Sequence, residues 1–206
     1  MLRIALALIT AALCTGPATA GFTIAEYTGP ASGTSVSTFA IGQSFTTSTG
    51  GPWDQITFNF FAPGGATTPV ASGTLYLLDK EYFGKPVDLS ASTPGFLATG
   101  AATAAGVYVF DSGVTLQAQT QYFVYTSAAF GSSIAVRLPG DYDGGKEYTT
   151  SPNSNYSAIF GGQVDALFRV QGELAGPTPM AAPEPASLTL GLLGVGGLLA
   201  LRRRLA

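Results

Sequence analysis

Gln55-Ile56-Thr57-Phe58-Asn59-Phe60 alternates polar and apolar side chains one by one. Successive side chains of a strand point to opposite faces, so Ile56, Phe58 and Phe60 share one side and Gln55, Thr57 and Asn59 the other. A helix would instead need apolar positions three and four apart. Leu75 and Leu77 repeat the pattern with Thr74 and Tyr76. Further short β-rich runs occur at Phe22–Tyr27, Phe39–Phe45, Phe96–Ala98, Val107–Phe110, Tyr122–Thr126, Ile134–Leu138 and Ala166–Val170. Turn clusters such as Gly50-Gly51-Pro52, Ala62-Pro63-Gly64-Gly65, Thr93-Pro94-Gly95 and Asp143-Gly144-Gly145 separate them. Eight or nine short strands with no amphipathic helix between them predict an all-β fold, a two-sheet antiparallel β-sandwich. No repeat of fixed period points to a solenoid or propeller.

Both ends of the chain read differently. Met1-Leu2-Arg3 is a short positive start, Ile4 to Leu13 an apolar core, and Ala18-Thr19-Ala20 a small-residue cleavage site. Residues 1–20 are therefore expected to be a signal peptide cut between Ala20 and Gly21. A lipoprotein route through Cys14 is disfavoured because Leu13 precedes it where a small residue is needed. At the other end stand Pro183-Glu184-Pro185, an uncharged run from Ala186 to Leu201, and Arg202-Arg203-Arg204. The two prolines fix φ and remove donors, which makes the tripeptide extended and accessible. As a helix the 16 residues of 186–201 span about 24 Å, slightly short of a bilayer core. The arginines then hold the C-terminus on the cytoplasmic side.

The expected organisation is a signal peptide (1–20), a β-sandwich domain (21–176) and a Pro-rich linker (177–185). A transmembrane helix (186–201) and a basic cytoplasmic tail (202–206) follow. Residues 21–185 carry five Lys/Arg against twelve Asp/Glu, a net charge of −7. Such a surface repels nucleic acid, and it holds no basic run for phosphate contacts. The only cysteine, Cys14, lies in the signal peptide and the chain has no histidine. Neither disulfides nor the usual zinc ligands are available, and the common catalytic triads are excluded. Stability must come from packing.

The C-terminal order of Pro-Glu-Pro, apolar run and arginines resembles the PEP-CTERM sorting signal of exported bacterial proteins. The resemblance implies that Pro183, Glu184, Pro185, Arg202, Arg203 and Arg204 are read by an exosortase, a membrane-embedded transpeptidase. It implies a precursor anchored in the inner membrane, then a product at the cell surface or in the extracellular matrix, associated with exopolysaccharide or biofilm. The bland alternative is a plain C-terminal membrane anchor. Ile41-Gly42-Gln43-Ser44-Phe45-Thr46, Gly73-Thr74-Leu75-Tyr76-Leu77, Thr120-Gln121-Tyr122-Phe123-Val124-Tyr125 and Ala166-Leu167-Phe168-Arg169-Val170 together resemble a family of exported bacterial jelly-roll domains. That resemblance implies a jelly-roll-like sandwich shaped like carbohydrate-binding modules.

Candidate site residues concentrate between Pro139 and Ser157, a Gly/Asp/Ser-rich stretch with few apolar residues. Tyr142, Tyr148 and Tyr156 are candidates for a polysaccharide-stacking face, since flat rings suit the apolar side of a pyranose. Trp53, Tyr76 and Tyr82 are weaker candidates for the same face, and Trp53, at a strand entry, is expected to pack in the core or at an edge. Asp141, Asp143 and Glu147 offer hard oxygen ligands on a glycine-containing loop, so calcium is the one cofactor considered. Lys146 in their midst and the missing further ligands speak against it. Asp79 with Glu81, or Asp141 with Asp143, are the nearest carboxylate pairs for glycoside hydrolysis, with local turn bonding as the simpler reading. A non-catalytic surface protein is the leading expectation, and a carbohydrate-binding module is the alternative.

The export reading makes Gly21 the mature N-terminus. N-terminal sequencing of the exported protein is expected to begin there, and recovery of a lipid-modified Cys14 would overturn it.

Overall fold

The computed structural model describes residues 21–35, 38–63, 73–103, 107–111, 113–129, 131, 133–151 and 153–176. The expected signal peptide (1–20), the linker from residue 177, the apolar run 186–201 and Arg202–Arg204 lie outside the described residues. Among the described residues no helix is long and apolar enough to cross a membrane.

Thirteen strands are found among the described residues: β1 (Phe22–Tyr27), β2 (Gly33–Ser35), β3 (Ala40–Thr46), β4 (Trp53–Phe60), β5 (Leu75–Leu78), β6 (Phe96–Ala102), β7 (Tyr108–Phe110), β8 (Gln121–Thr126), β9 (Ile134–Arg137), β10 (Glu147–Thr150), β11 (Ser157–Ala158), β12 (Asp165–Ala166) and β13 (Phe168–Leu174). Every pairing is antiparallel, in a ten-stranded sheet ordered β1-β13-β4-β7-β6-β5-β8-β3-β10-β11 and a three-stranded sheet ordered β12-β9-β2. The fold is an all-β antiparallel sandwich. Its large sheet doubles back, because Phe45 of β3 meets Phe58 of β4 at 6.1 Å and Phe168 of β13 at 6.3 Å between ring centroids. Phe58 and Phe168 stack at 5.6 Å, and all three rings are fully buried.

The alternation in β4 needs one interruption. Trp53 and Ile56 are three residues apart, yet both are buried. Gln171 pairs with Thr57 and Glu173 with Asp54, so Gln55 and Ile56 together oppose Gly172. This bulge puts Gln55 at φ 49° and shifts the phase of the strand, returning Trp53 to the core side. A Cβ on Gly172 would stand 2.9 Å from Ile56 Cδ1 and 3.0 Å from the Asp54 carbonyl oxygen, so a side chain there would crowd the bulge.

β8 is buried on both faces. Tyr122 and Val124 join the core between the layers, whereas Phe123 and Tyr125 face a second cluster with Leu78, Leu89, Tyr148 and Tyr156. The excursion from β5 to β6, residues 79–95, covers this second cluster. Within it the Tyr82 N–H donates to the Tyr125 hydroxyl at 3.1 Å, and the Tyr156 N–H donates to the Gly84 carbonyl at 3.0 Å. The small sheet is tied to the large one around Phe61: its N–H donates to Leu167 O (2.9 Å), its carbonyl accepts from Ala135 N (2.7 Å), and Leu167 N donates to Ala135 O (2.8 Å). The Ala166–Val170 run is thereby divided at Leu167 between β12 and β13.

The strand number corrects the sequence reading. β2, β10 and β11 have no apolar alternation to announce them, and β10 runs through the stretch read as an open polar loop. Glu147, Tyr148 and Thr150 are buried there, since a strand between β3 and β11 loses solvent whatever its composition.

Phe58→Ala removes a ring that contacts both layers and leaves a cavity. It is expected to lower the unfolding free energy by about 3–5 kcal/mol, measured by urea denaturation followed by circular dichroism.

Candidate functional site

The stretch 139–157 divides its candidate residues between two faces, because β10 alternates. Tyr148 points to the outer face of the large sheet. It is 0% exposed, with Tyr125 at 5.3 Å and Phe123 at 6.4 Å. Tyr156 is 2% exposed; its ring lies 4.8 Å from Tyr125 and its hydroxyl donates to the Thr126 carbonyl. Tyr142 is half-buried, edge-on to Phe168 at 5.3 Å, and its hydroxyl accepts from the Thr46 N–H at 3.2 Å. The three rings expected to form a polysaccharide-stacking face are therefore engaged with protein. Two of them are sealed under residues 79–95. Trp53 is also a core residue, 5% exposed.

The three carboxylates considered for calcium have three different surroundings. Asp141 pairs with Arg137 at 3.1 Å and accepts from the Tyr27 hydroxyl. Asp143 is exposed on a polar cleft, and Glu147 is buried at the wall of a separate pocket. Among the described residues no three His, Cys, Asp or Glu side chains gather as a metal group. Of the carboxylate pairs, Asp141 is held by Arg137, and Glu81 is held by Lys146 at 2.9 Å and by the Tyr148 hydroxyl at 2.6 Å.

The polar cleft has a volume of about 220 Å³ and is lined by Ser44, Glu81, Gln121, Asp143 and Lys146 over Phe123 and Tyr148. Burial pushes the Glu81 carboxyl up, but the hydrogen bonds from Tyr148 and Lys146 and the charge of Lys146 hold it below its ordinary value. Burial first, then the bond to Glu81, pushes the Tyr148 phenol far above the usual range. Charge and hydrogen bonds in this cleft are largely matched within the protein.

A second pocket, of about 350 Å³, opens between the inner face of β10 and the small sheet. Glu147 and Thr149, two apart on β10, form one wall; Gly33, Thr34, Val136 and Leu138 come from β2, β9 and the residue after it. Phe39, Val164 and the turn Ile159-Phe160-Gly161 close the rest. Glu147 is the one charged side chain among these lining residues. Its N–H donates to Val164 O at 2.9 Å, which fixes β10 at the base. Phe160 stands at the rim, 71% exposed, with φ 45° and ψ 39°. Left-handed backbone is unfavourable for a bulky residue, and an exposed ring returns no burial for it.

The candidate stretch 139–157 ends three residues short of Phe160. A signal was present: a large aromatic immediately before Gly161-Gly162 and outside every alternating run. A double glycine following an aromatic indicates a turn with no apolar face to bury that ring. The same turn brings Glu147 and Phe160 to one pocket, a proximity that sequence spacing does not reveal.

No family model matches the chain, and no curated protein matches it either.

The tyrosines make the fold sensitive to alkali. Burial raises the phenols of Tyr108, Tyr125, Tyr148 and Tyr156 far above the usual range, and burial together with Asp141 pushes Tyr27 up to about 12. Below about pH 10 all these phenols are neutral in both folded and unfolded chains. Above it the unfolded chain releases protons that the folded chain retains, so stability falls as pH rises. Alkaline titration is expected to show the phenolate absorbance of these residues appearing together with loss of the β circular dichroism signal. Full ionisation of all nine tyrosines with the fold intact would contradict this burial.

Proposed function

We propose that this chain is a non-catalytic exported protein of the cell surface or extracellular matrix, delivered through an exosortase-type sorting signal at its C-terminus. The observation that carries the reading is the order of Pro183-Glu184-Pro185, the uncharged run 186–201 and Arg202-Arg203-Arg204. An extended proline-flanked segment just outside a bilayer is open to a membrane transpeptidase, whereas a helix behind it is hydrogen-bonded internally. The domain suits that route. Its jelly-roll-like sandwich is built without a disulfide, and the carboxylates nearest to a catalytic pair are engaged with Arg137, Lys146 and Tyr148. β1 and β13, the first and last strands of the described residues, are paired, with Phe22 opposite Gly172.

A second reading is a carbohydrate-binding module for extracellular polysaccharide. The observation that favours it is the exposed Phe160 ring at the rim of a pocket that Thr34 and Thr149 also line.

Processing at Pro183-Glu184-Pro185 predicts a surface form that ends near residue 185 and lacks Arg202–Arg204. Replacing the three residues by alanine is expected to leave a longer, membrane-retained precursor, read by intact-mass analysis of membrane and surface fractions. A surface form that keeps the three arginines, or normal release of the triple variant, would reduce the tail to a plain anchor.

A further inference from the structure

We propose that the pocket beneath Phe160 is a subsite for a neutral 6-deoxyhexose unit, taken methyl group inward, an inference that rests on the carbohydrate-binding reading above. Phe160 is 71% exposed in a left-handed conformation, φ 45°, followed by Gly161 and Gly162 at φ 71° and 91°. Glycine takes such angles without strain and occupies the next two positions. A phenylalanine held there displays its ring to solvent although both the backbone and the exposure are unfavourable. Outliers of this kind collect at ligand sites, where the surrounding structure enforces them.

The walls are mostly hydrocarbon. Phe39, Val136, Ile159 and Val164 line the pocket, and Leu138, 49% exposed, carries the apolar surface out to solvent. Its hydroxyls are few and largely committed inside the protein. That of Ser32 accepts from the Leu138 N–H at 2.6 Å and donates to the Leu138 carbonyl at 3.1 Å, and that of Thr149 donates to the Ala40 carbonyl at 3.4 Å. The Thr34 hydroxyl, on an exposed residue of the edge strand β2, remains for a ligand. A pyranose lays its apolar C–H face on a ring and needs a partner for each hydroxyl that it buries. A 6-deoxyhexose meets both conditions: its methyl group asks for no partner, and a ring hydroxyl can reach Thr34. A volume of about 350 Å³ lies at the small end of ligand pockets, roughly 300–1,000 Å³. That suits a short segment of a glycan.

The same lining selects among sugars. Glu147 is fully buried and engaged within the protein, and no Lys, Arg or Asp lines the pocket. A uronate or phosphate-bearing sugar finds no cation there, and an amino sugar no free carboxylate. A hexose that keeps its 6-hydroxyl must place it against hydrocarbon and give up its bond to water. An apolar wall discriminates against one added hydroxyl by about ten- to a hundredfold. The polar cleft around Glu81 makes a weaker case, because its ammonium and carboxylate already pair with each other at 2.9 Å.

The test is calorimetric titration of the full chain in lipid nanodiscs with two pairs of methyl glycosides that differ by one hydroxyl: L-rhamnoside against L-mannoside, and L-fucoside against L-galactoside. A methyl galacturonoside is the charged control. At least one 6-deoxy sugar is expected to bind about tenfold or more tightly than its partner, with an affinity that salt leaves unchanged. Phe160→Ala and Phe160→Gly are each expected to weaken it by about threefold to tenfold. The glycine variant should melt no lower than the parent, since glycine accepts φ 45°. Thr34→Val, nearly the same shape without the hydroxyl, should weaken both members of a pair alike and keep the preference for the methyl group. Equal affinity within both pairs, undiminished binding by the Phe160 variants, or tighter binding of the galacturonoside would overturn this subsite. Retardation of the protein in native gels containing extracellular polysaccharide would then leave the carbohydrate reading standing. That reading itself fails if none of the glycosides binds and the gels show no retardation.

Discussion

The packing of Phe45 against Phe58 and Phe168 is the contact on which the architecture depends. Ten strands in one continuous antiparallel sheet could remain open; these rings draw β3 onto β4 and β13 and turn the sheet into two layers. Each buried ring contributes roughly 1.5–3 kcal/mol from area alone, and each aromatic pair adds about 0.5–1.5 kcal/mol. In a chain whose only cysteine is Cys14 and which has no histidine, such packing takes the place of covalent or metal crosslinks. The bulge at Gln55 serves the same closure, because it turns Trp53 inward at the entry to β4.

The second cluster shows why composition was misleading about the site. Tyr148 and Tyr156 lie in a polar stretch and carry polar tips, both of which suggest exposure. In the folded chain their hydroxyls reach Glu81 and the Thr126 carbonyl, so burial leaves no lost hydrogen bond behind. Residues 79–95 supply both the cover and, through Glu81, one of the acceptors. A tyrosine cluster is a core that can be built in a sequence with few aliphatic residues.

The pocket at Phe160 arises from the same strand. Because β10 alternates, the outward Tyr148 and the inward Glu147 and Thr149 serve opposite faces: one completes a core, the other lines a cavity against the small sheet.

The sequence by itself determined the strand class and most of the strand positions, because the alternation in Gln55–Phe60 and the buried runs such as Tyr122–Thr126 record local geometry directly. It also carries the charge balance, the lack of disulfides in residues 21–185 and the order of the tail residues. β2, β10 and β11 escaped it, since a strand of Gly, Ser, Thr and Glu is stabilised by its neighbours rather than by its own apolar face. The fate of Tyr142, Tyr148 and Tyr156 was likewise decided only by tertiary structure. Whether a ring binds a ligand or fills a core depends on what the distant segment 79–95 places over it. The meeting of Phe160 with Glu147 was decided in the same way, by a turn that brings two strands' ends to one cavity.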